Sequence, residues 1–470
     1  MAAQISKSLA PVLARPTTKI IAGIDLTKNR FDNPRYVGFL DALNIMGFDT
    51  PYKPIILEIA ETSVINNVKE ALNKLQLPIE YVIDFLKIKV ISTWATEDNI
   101  YELSSNDAIK KIHYNNIKYL HEYEFPFVNF MSTMISNVTG TETRKFKIKS
   151  RYEDRKKPGD IPTGALFEAL GADKYWIEGY TGRSLHGAII DSGFSSNRML
   201  TRGEVGRMSI RAVDPGDYIG HGAFVLNLFR GNPITLSTGQ VLRGLTRCSA
   251  TSIKALFGGR GRDAGILLAL QKAVELGVDG INLSLGGKAT VSAEESLLCQ
   301  ACKQIAEEEK ILVFVSAGND GEQNSVNDPG IEPSVITVGS CSFIQYLENG
   351  NVRRSFYSSY GPEVNCVSFG GGQPNEEDEL DENILNGTSP LSVIDNLDMI
   401  PNMIGSGKGT SWSAPNAFGI AMLGREKYFD KTGEKLSNIE ILKILKDYGT
   451  EFDDEIGNGL FNRDLLNNFI

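Results

Sequence analysis

Apolar and polar residues follow two different patterns along the chain. From residue 54 to about residue 123, short apolar runs of strand length alternate with amphipathic helical segments. The predicted strands are KPIILEIA, IEYVIDF, LKIKVIST and AIKKIHYNNIKYL, and the predicted helices are SVINNVKEALNKL and TEDNIYELSS. The order is strand, helix, strand, strand, helix, strand. It predicts a small α+β unit of the ferredoxin-like (βαββαβ) type over residues 51–123.

Beyond Pro162 the pattern changes to short continuous apolar runs that alternate with helical segments. The runs HGAIIDSG, GINLSLGG, ILVFVSAGN and SVITVGS predict strands, and DAGILLALQKAVELG and SLLCQACKQIAEEEK predict helices. Continuous apolar runs are typical of strands that are buried on both faces. The sequence therefore predicts an α/β fold with a doubly wound, mostly parallel sheet and helices on both faces. Ser292 and Glu295 supply a capping box for the second helix.

The remaining segments complete the predicted domain organisation. Residues 1–50 form an N-terminal extension of unknown role, and the second pattern extends over residues 161–470. Residues 124–160 form a charged linker whose basic run could bind an acidic partner, although a solvated tether is the commoner role of such a run. Residues 370–408 form a predicted acidic surface insertion, in which six of the seven residues from Glu376 to Glu382 are acidic.

The composition restricts the classes of partner. The 470 residues carry a net charge of −10, which gives no field that would attract nucleic acid or an anionic membrane. No apolar run approaches the ~18 residues of a membrane span, and the first thirty residues lack a secretory pattern. We therefore expect a cytoplasmic protein with neither nucleic acid nor a membrane as partner.

The cysteines favour free thiols. Five cysteines are few and odd in number, which suits a reducing compartment better than a disulfide framework. Cys299 and Cys302 form a C-x-x-C pair, but their surroundings have helical spacing and no second pair of ligands follows. They are interpreted as buried helix residues, and no metal site is predicted.

Four polar residues stand where predicted strands end or helices begin. A hydroxyl becomes a strong nucleophile only beside a base, usually histidine, that is oriented by an acceptor. Of the four histidines, His221 in GHGAFVLNLF starts a helical pattern, and Asp191 ends the run HGAIID. Ser411 in GTSWSAPNAF precedes an apolar helix, with Pro415 expected in its first turn. Asn319 ends the run ILVFVSAGN, and its amide could donate to an oxyanion.

Each of these residues also has an ordinary structural interpretation. Asp191 and Asn319 suit turns, and Ser411 suits a helix N-cap. In the chain order Asp, His, Asn, Ser, however, they supply an orienting acceptor, a base, an oxyanion donor and a nucleophile. Together they favour catalysis.

In these motifs the sequence resembles the subtilisin-like serine proteases from about residue 162 to residue 465. The matches are DSG at 191–193, HG at 221–222, AGN at 317–319 and GTSWSAP at 409–415, and the order Asp, His, Ser is that of subtilisin. The resemblance implies that Asp191 orients His221 and that His221 takes the proton of Ser411, which forms an acyl-enzyme. Asn319 and the Ser411 N–H would bind the oxyanion.

The resemblance also implies a groove in which a polypeptide substrate lies extended. Its two edges would be Ser284, Leu285 and Gly286 on one side and Gly259, Arg260 and Gly261 on the other. The specificity pocket would be walled near Gly286 and floored near Asn327, and Ile266 and Leu285 would line a more distal pocket. Without the resemblance, residues 259–265 suit a flexible turn.

The unit over residues 51–123 resembles the propeptide of such proteases, whose tail occupies the cleft. The tail is expected to end at Tyr123. The resemblance thus implies a zymogen that is inhibited by its own propeptide and requires no cofactor.

The sequence departs from the family pattern in ways that leave alternatives open. Ala223 replaces the usual threonine, Trp412 and Ser413 replace Met-Ala, and no calcium-binding segment follows His221. The acidic insertion could bind calcium, although a solvated loop is the commoner role. A catalytically degenerate binding or scaffold protein is the alternative function, and hydrolysis of esters or small amides is a third.

Overall fold

The computed structural model describes residues 4–7, 9–13, 20–21, 24–25, 31, 36–45, 49–60, 65–120, 157–378, 380–388 and 404–468. These residues form two compact units. The first contains the described residues up to Ile117 together with Arg262–Gln271, and the second contains Lys118–Leu120 and the other described residues. Most of the predicted linker and the predicted end of the tail at Tyr123 lie outside the described residues.

A five-stranded sheet forms the centre of the first unit. Its spatial order is Gln4–Ile5, Ile109–Tyr114, Lys53–Ile59, Ile88–Ala95 and Tyr81–Phe85. The helices of this unit are Ala10–Leu13, Tyr36–Ile45, Ile65–Lys74 and Glu97–Ser104, and Ile20–Ile21 pairs with Ile24–Asp25. Helical spacing places Val68 and Leu72 of one helix and Ile100 and Leu103 of another in one core.

The last predicted strand of this pattern is two strands, Ile109–Tyr114 and Ile117–Leu120. Asn115 explains the break, since its backbone and side chain bond to the start of a helix. Its main-chain oxygen accepts from Arg262 Nη1 at 2.8 Å, and its Oδ1 accepts from Ala264 N at 3.0 Å.

A seven-stranded sheet forms the centre of the second unit, and all of its neighbouring strands are parallel. Its spatial order is Gly206–Ser209, Ser249–Lys254, His186–Asp191, Gly280–Leu283, Leu312–Ser316, Ile336–Cys341 and Cys366–Phe369. The predicted mostly parallel sheet is confirmed. The sequence pattern does not predict three of its strands, because these segments lack long apolar runs. They are Gly206–Ser209, Ser249–Lys254 and Cys366–Phe369.

The other elements surround this sheet. The helices are Thr163–Ala169, Ala172–Ile177, Arg202–Glu204 (3₁₀), His221–Arg230, Leu297–Glu307, Phe343–Asn349, Thr410–Thr432, Asn438–Tyr448 and Arg463–Asn467; Asp263–Glu275 contains residues of both units. The short strands are Lys157–Pro162, Ile234–Thr235, Val241–Leu242, Arg260–Arg262, Leu285–Lys288, Asn327–Asp328, Leu380–Gly387 and Ile404–Gly407. Among the described residues, no helix has both the length and the apolarity to cross a membrane.

Glycines in the central strands allow the helix Thr410–Thr432 to lie close to the sheet. A Cβ at Gly280 would lie 2.4 Å from a ring carbon of Phe418, and one at Gly187 would lie 3.4 Å from that ring. The same ring stacks on Phe229, with the ring centroids 4.8 Å apart. This contact fixes the position of the helix that carries Ser411.

The capping box predicted at Ser292 and Glu295 is wrong. The helix begins at Leu297, and the Ser296 side chain accepts from Cys299 N at its N-terminus. Ser292 instead accepts backbone hydrogen bonds in the preceding turn.

The predicted surface insertion is partly buried. Its residues 380–387 pair in parallel with Lys157–Pro162 and antiparallel with Ile404–Gly407, so the last residues of the predicted linker also belong to a strand. Glu382 is 1% exposed and accepts hydrogen bonds from Ser342 Oγ at 2.6 Å and Phe343 N at 2.7 Å. Burial outweighs these bonds and raises the pKa of Glu382 to about 7.

The raised pKa of Glu382 predicts a pH-dependent stability. Between its ordinary pKa of 4.5 and about 7, the folded protein keeps the proton that the unfolded chain has lost, so stability falls as pH rises through this window. The replacement Glu382→Gln should remove a loss of about 3 kcal/mol in unfolding free energy. Urea unfolding of both proteins at pH 4.5, 6 and 8 measures the difference. It should grow up to pH 7 and then stay constant, and a difference independent of pH would contradict the assignment.

Candidate active site

The predicted aspartate and histidine meet at the end of a central strand. Asp191 is the last residue of its strand and His221 is the first residue of its helix, and neither is exposed. His221 Nδ1 lies 2.8 Å from Asp191 Oδ1 and 2.9 Å from Oδ2. An imidazole that donates from Nδ1 to a carboxylate presents Nε2 as the basic nitrogen. The pair can therefore act as an oriented base.

Asp217, which the sequence analysis missed, holds the start of the histidine helix. Its Oδ1 accepts from Ile219 N and Gly220 N, each at 2.9 Å, and its Oδ2 accepts from Ala223 N at 2.9 Å. These N–H groups have no acceptor within the helix. Burial raises the pKa of Asp217, and the backbone donors oppose that shift. An aspartate four residues before the first residue of a helix is the signal that could have identified it.

Ser192 links this carboxylate to the histidine motif. Its Oγ donates to Asp217 Oδ1 at 3.0 Å and accepts from Gly222 N at 2.9 Å. A Cβ at Gly222 would lie 2.3 Å from Gly193 O, so the close approach of strand and helix requires glycine at this position.

Ser411 is the second residue of the helix Thr410–Thr432, and it exchanges hydrogen bonds with Ser284. Ser411 Oγ donates to Ser284 O at 3.1 Å, and Ser284 Oγ donates to Ser411 O at 2.8 Å. The expectation that Pro415 lies in the first turn is wrong, because it is the sixth helical residue. Proline has no N–H to donate to Ser411 O, and the Ser284 hydroxyl supplies that bond instead.

Trp412 places the serine helix against the histidine. Its ring centroid lies 4.9 Å from that of His221 and 4.2 Å from that of Phe224, and its side chain is buried. The departure from the family pattern at this position thus produces an aromatic contact beside the base, and Ser411 immediately precedes it in the chain.

Asn319 bonds to the same helix N-terminus. Its Oδ1 accepts from Thr410 N at 3.0 Å and from Thr410 Oγ1 at 2.9 Å. Its Nδ2 is buried and has no hydrogen-bond partner among the described residues. A buried amide donor without a partner is costly unless a ligand satisfies it. The acceptor bonds direct this donor, so the arrangement can bind a negative oxygen beside Ser411.

The two predicted groove edges enclose a segment of the chain itself. The strand Leu285–Lys288 pairs antiparallel with the segment Lys118–Leu120, with Leu120 opposite Leu285 and Tyr119 opposite Gly286. On the other side Leu120 N donates to Gly259 O at 3.3 Å. The structure therefore brings residues 259–261 and 284–286 together around an extended polypeptide.

The remaining predicted groove residues occupy different places. Arg260 lies over the ring of Tyr119, with its guanidinium carbon 5.5 Å from the ring centroid. Asn327 lies beside Gly318, the residue before Asn319, since a Cβ at Gly318 would lie 2.1 Å from Asn327 Nδ2. Ile266 is buried among the residues grouped with the first unit, and its role in a distal pocket stays a prediction.

The cysteine interpretation is confirmed. Cys299 and Cys302 are buried in the helix Leu297–Glu307, and all five cysteines are free thiols. In the part of the chain that the structure describes, no group of three or more His, Cys, Asp or Glu residues is placed to hold a metal ion.

Comparison of the sequence with known proteins identifies a family. The sequence model of the subtilase family, Peptidase S8, matches residues 188–459. The major intracellular serine protease of Bacillus subtilis (strain 168) is 26% identical over 300 residues, which cover 61% of this chain and 82% of that protein. Subtilisin DY of Bacillus licheniformis is 28% identical over 301 residues, which cover 62% of this chain and 94% of that protein.

A solved structure gives the same fold. The crystal structure of fervidolysin from Fervidobacterium pennivorans, described as a keratinolytic enzyme related to subtilisin, matches with a TM-score of 0.62 at 18% identity. The match covers 88% of this chain and 60% of that chain.

The family match covers more than half of the chain and includes Asp191, His221, Asn319 and Ser411. The chain therefore belongs to the subtilase family of serine endopeptidases.

Proposed function

We propose that Ser411 is the nucleophile of this endopeptidase, that Asp191 and His221 form its base, and that the chain is made as an autoinhibited zymogen. The observation that carries the catalytic assignment is the buried hydrogen bond between Asp191 and His221 beside the N-terminus of the serine helix. The substrate is a polypeptide, because the groove binds an extended chain by backbone pairing.

Acylation begins when Ser411 Oγ leaves its hydrogen bond to Ser284 O and attacks the scissile carbonyl carbon. His221 Nε2 takes the hydroxyl proton as the C–O bond forms, and Asp191 stabilises the imidazolium through Nδ1–H. The imidazolium then gives the proton to the leaving amine as the C–N bond breaks. The product is an acyl-enzyme on Ser411.

The negative oxygen of the tetrahedral intermediate is bound by Asn319 Nδ2 and by the Ser411 N–H. The buried Nδ2 supports this role, because it has no other partner among the described residues. The N-terminus of the helix adds a favourable dipole for negative charge. Water then attacks the acyl carbonyl as His221 Nε2 takes one of its protons. The bond between the acyl carbon and Ser411 Oγ breaks, His221 returns the proton to Ser411 Oγ, and the product leaves as a carboxylic acid.

Autoinhibition is supported by the segment Lys118–Leu120, which lies in the groove in the antiparallel arrangement of a substrate. Its carboxyl end lies nearest Ser284, whose main-chain oxygen bonds Ser411 Oγ. The segment thus blocks entry of another polypeptide from the upstream side of the cut. The proposed inhibitor-like unit over residues 51–123 precedes and includes this segment.

Free, buried thiols support a cytoplasmic location for this protein. Burial raises the pKa of Cys302 and of Cys366 above the ordinary range of a thiol, so both stay protonated. The residues assigned to catalysis supply nucleophile, base and oxyanion donors without a cofactor.

The catalytic assignment predicts a graded loss of activity. Ser411→Ala should abolish labelling by a fluorophosphonate probe and digestion of casein. Asn319→Ala should lower kcat by about 10²–10³ with little change in KM, because Nδ2 acts mainly in the transition state. Steady-state kinetics on peptide and short ester substrates measure both values.

Three results would redirect the assignment. Absence of probe labelling in every form of the protein would favour the degenerate binding protein, and turnover of esters without any peptide cleavage would favour an esterase. A rise in KM with kcat unchanged for Asn319→Ala would place this residue in substrate binding.

The autoinhibition proposal predicts that Leu120→Pro releases the groove. Proline at this position lacks the N–H that donates to Gly259 O, whereas the matched control Leu120→Ala retains it. In the full-length protein, fluorophosphonate should label Ser411 at least about tenfold faster in the proline variant than in the alanine variant, a ratio that corresponds to the loss of roughly 1.4 kcal/mol. Equal labelling rates in the two variants and the wild type would refute the blockage.

A further inference from the structure

A buried ion pair lies along the groove, away from the catalytic residues. Lys118 Nζ lies 2.7 Å from Asp328 Oδ2, and the two side chains are only 1% and 6% exposed. Asp328 belongs to the short strand Asn327–Asp328, which pairs with Leu285–Lys288. The lysine therefore inserts its charged end between groove elements instead of extending it into solvent.

The carboxylate of Asp328 is held by neutral donors in addition to the lysine. Ser296 Oγ lies 3.1 Å from both carboxylate oxygens, and Cys299 Sγ donates to Oδ1 at 3.4 Å. Burial and the negative charge of Asp328 raise the pKa of Cys299, so its thiol remains a donor. A hydroxyl and a thiol orient the carboxylate but do not neutralise it. The site thus requires a cation from the groove.

The strand register locates this site relative to the cut. Leu120 lies opposite Leu285 and Tyr119 opposite Gly286, so a bound substrate would place its next residue opposite Ser284. Ser284 O accepts the hydrogen bond of Ser411 Oγ, which makes that next residue the carrier of the scissile carbonyl. The position of Lys118 is then the fourth residue upstream of the cut.

We propose that Asp328, with Ser296 and Cys299, forms a cation-selective subsite that selects substrates with lysine at the fourth residue upstream of the cut. This inference rests on the proposed function of Ser411 and adds the substrate class. Lys118 is the chain's own occupant of the subsite, so recognition and inhibition use the same ion pair. The compact ammonium fits a pocket that offers one carboxylate oxygen at 2.7 Å.

The proposal has a direct consequence for the chain itself. Lys118→Glu would place two carboxylates within the same buried site, so the segment Lys118–Leu120 should leave the groove. Lys118→Arg keeps the charge and is the matched control. In the full-length protein, labelling of Ser411 by fluorophosphonate should be at least about tenfold faster for the glutamate variant, and equal rates for the two variants would overturn the proposal.

Substrate selectivity is tested in the full-length Lys118→Glu protein with quenched peptides that differ only at the fourth upstream residue. We expect kcat/KM to be about 30-fold higher for lysine than for norleucine, its neutral analogue of similar length. Asp328→Asn should reduce this ratio of kcat/KM values below about threefold, because the subsite then no longer carries the negative charge that favours the lysine peptide. Glu294→Gln, which removes an exposed carboxylate near Ser296, should leave the ratio unchanged.

Binding separates this inference from the catalytic proposal. Fluorescence anisotropy with the Lys118→Glu/Ser411→Ala protein should show tighter binding of the lysine peptide than of the norleucine peptide. If the Lys118→Glu/Ser411→Ala protein binds the lysine peptide selectively but the Lys118→Glu protein, which keeps Ser411, cleaves neither peptide, the catalytic proposal would be overturned and the subsite supported. Cleavage without selectivity, or a ratio that Asp328→Asn leaves intact, would overturn the subsite and support only catalysis.

Discussion

The buried hydrogen bond between Asp191 and His221 is the interaction on which the rest of the site depends. Both side chains are removed from solvent, so each must find its partners within the protein. Asp191 is fixed by the end of its strand, and His221 is fixed by Asp217, which binds the free N–H groups before and within its helix. Trp412 then packs against the His221 ring, with the two ring centroids 4.9 Å apart. Glycine at position 222 permits this close approach of strand and helix, because a Cβ there would lie 2.3 Å from Gly193 O.

At the start of the serine helix, a proline within the helix leads to a side-chain contact with the groove edge. Pro415 removes a helical donor, Ser284 replaces it at Ser411 O, and Ser284 O receives the Ser411 hydroxyl. Leu285 and Gly286, which follow Ser284, form an edge of the groove. The proposed nucleophile and the backbone proposed to pair with substrate are therefore joined through Ser284. A substrate aligned on this edge is also aligned on Ser411.

The four residues proposed for catalysis could be singled out from the sequence because each lies in a short motif at a strand end or helix start. The strand that ends at Asp191 and the strand that ends three residues before Asn319 are also largely apolar runs. The sequence could not predict features that depend on distant contacts. Glu382 belongs to an acidic run, yet its strand is buried between two others. Lys118 and Asp328 are 210 residues apart, and neither has neighbours that distinguish it from an exposed charge.

Under the proposed autoinhibition, the ion pair between Lys118 and Asp328 would reconcile inhibition with later release. A buried pair gains little net free energy over an apolar contact, because desolvation offsets much of the attraction. Loss of only one of the two charges is nevertheless costly, because the other charge then stays buried without a partner. The pair therefore contributes more to selectivity than to binding free energy. Tyr119, in the segment Lys118–Leu120, remains 43% exposed. A groove of this kind can retain its own segment as part of the same chain and release it once the chain is cut, because the high effective concentration of the tethered segment is then lost.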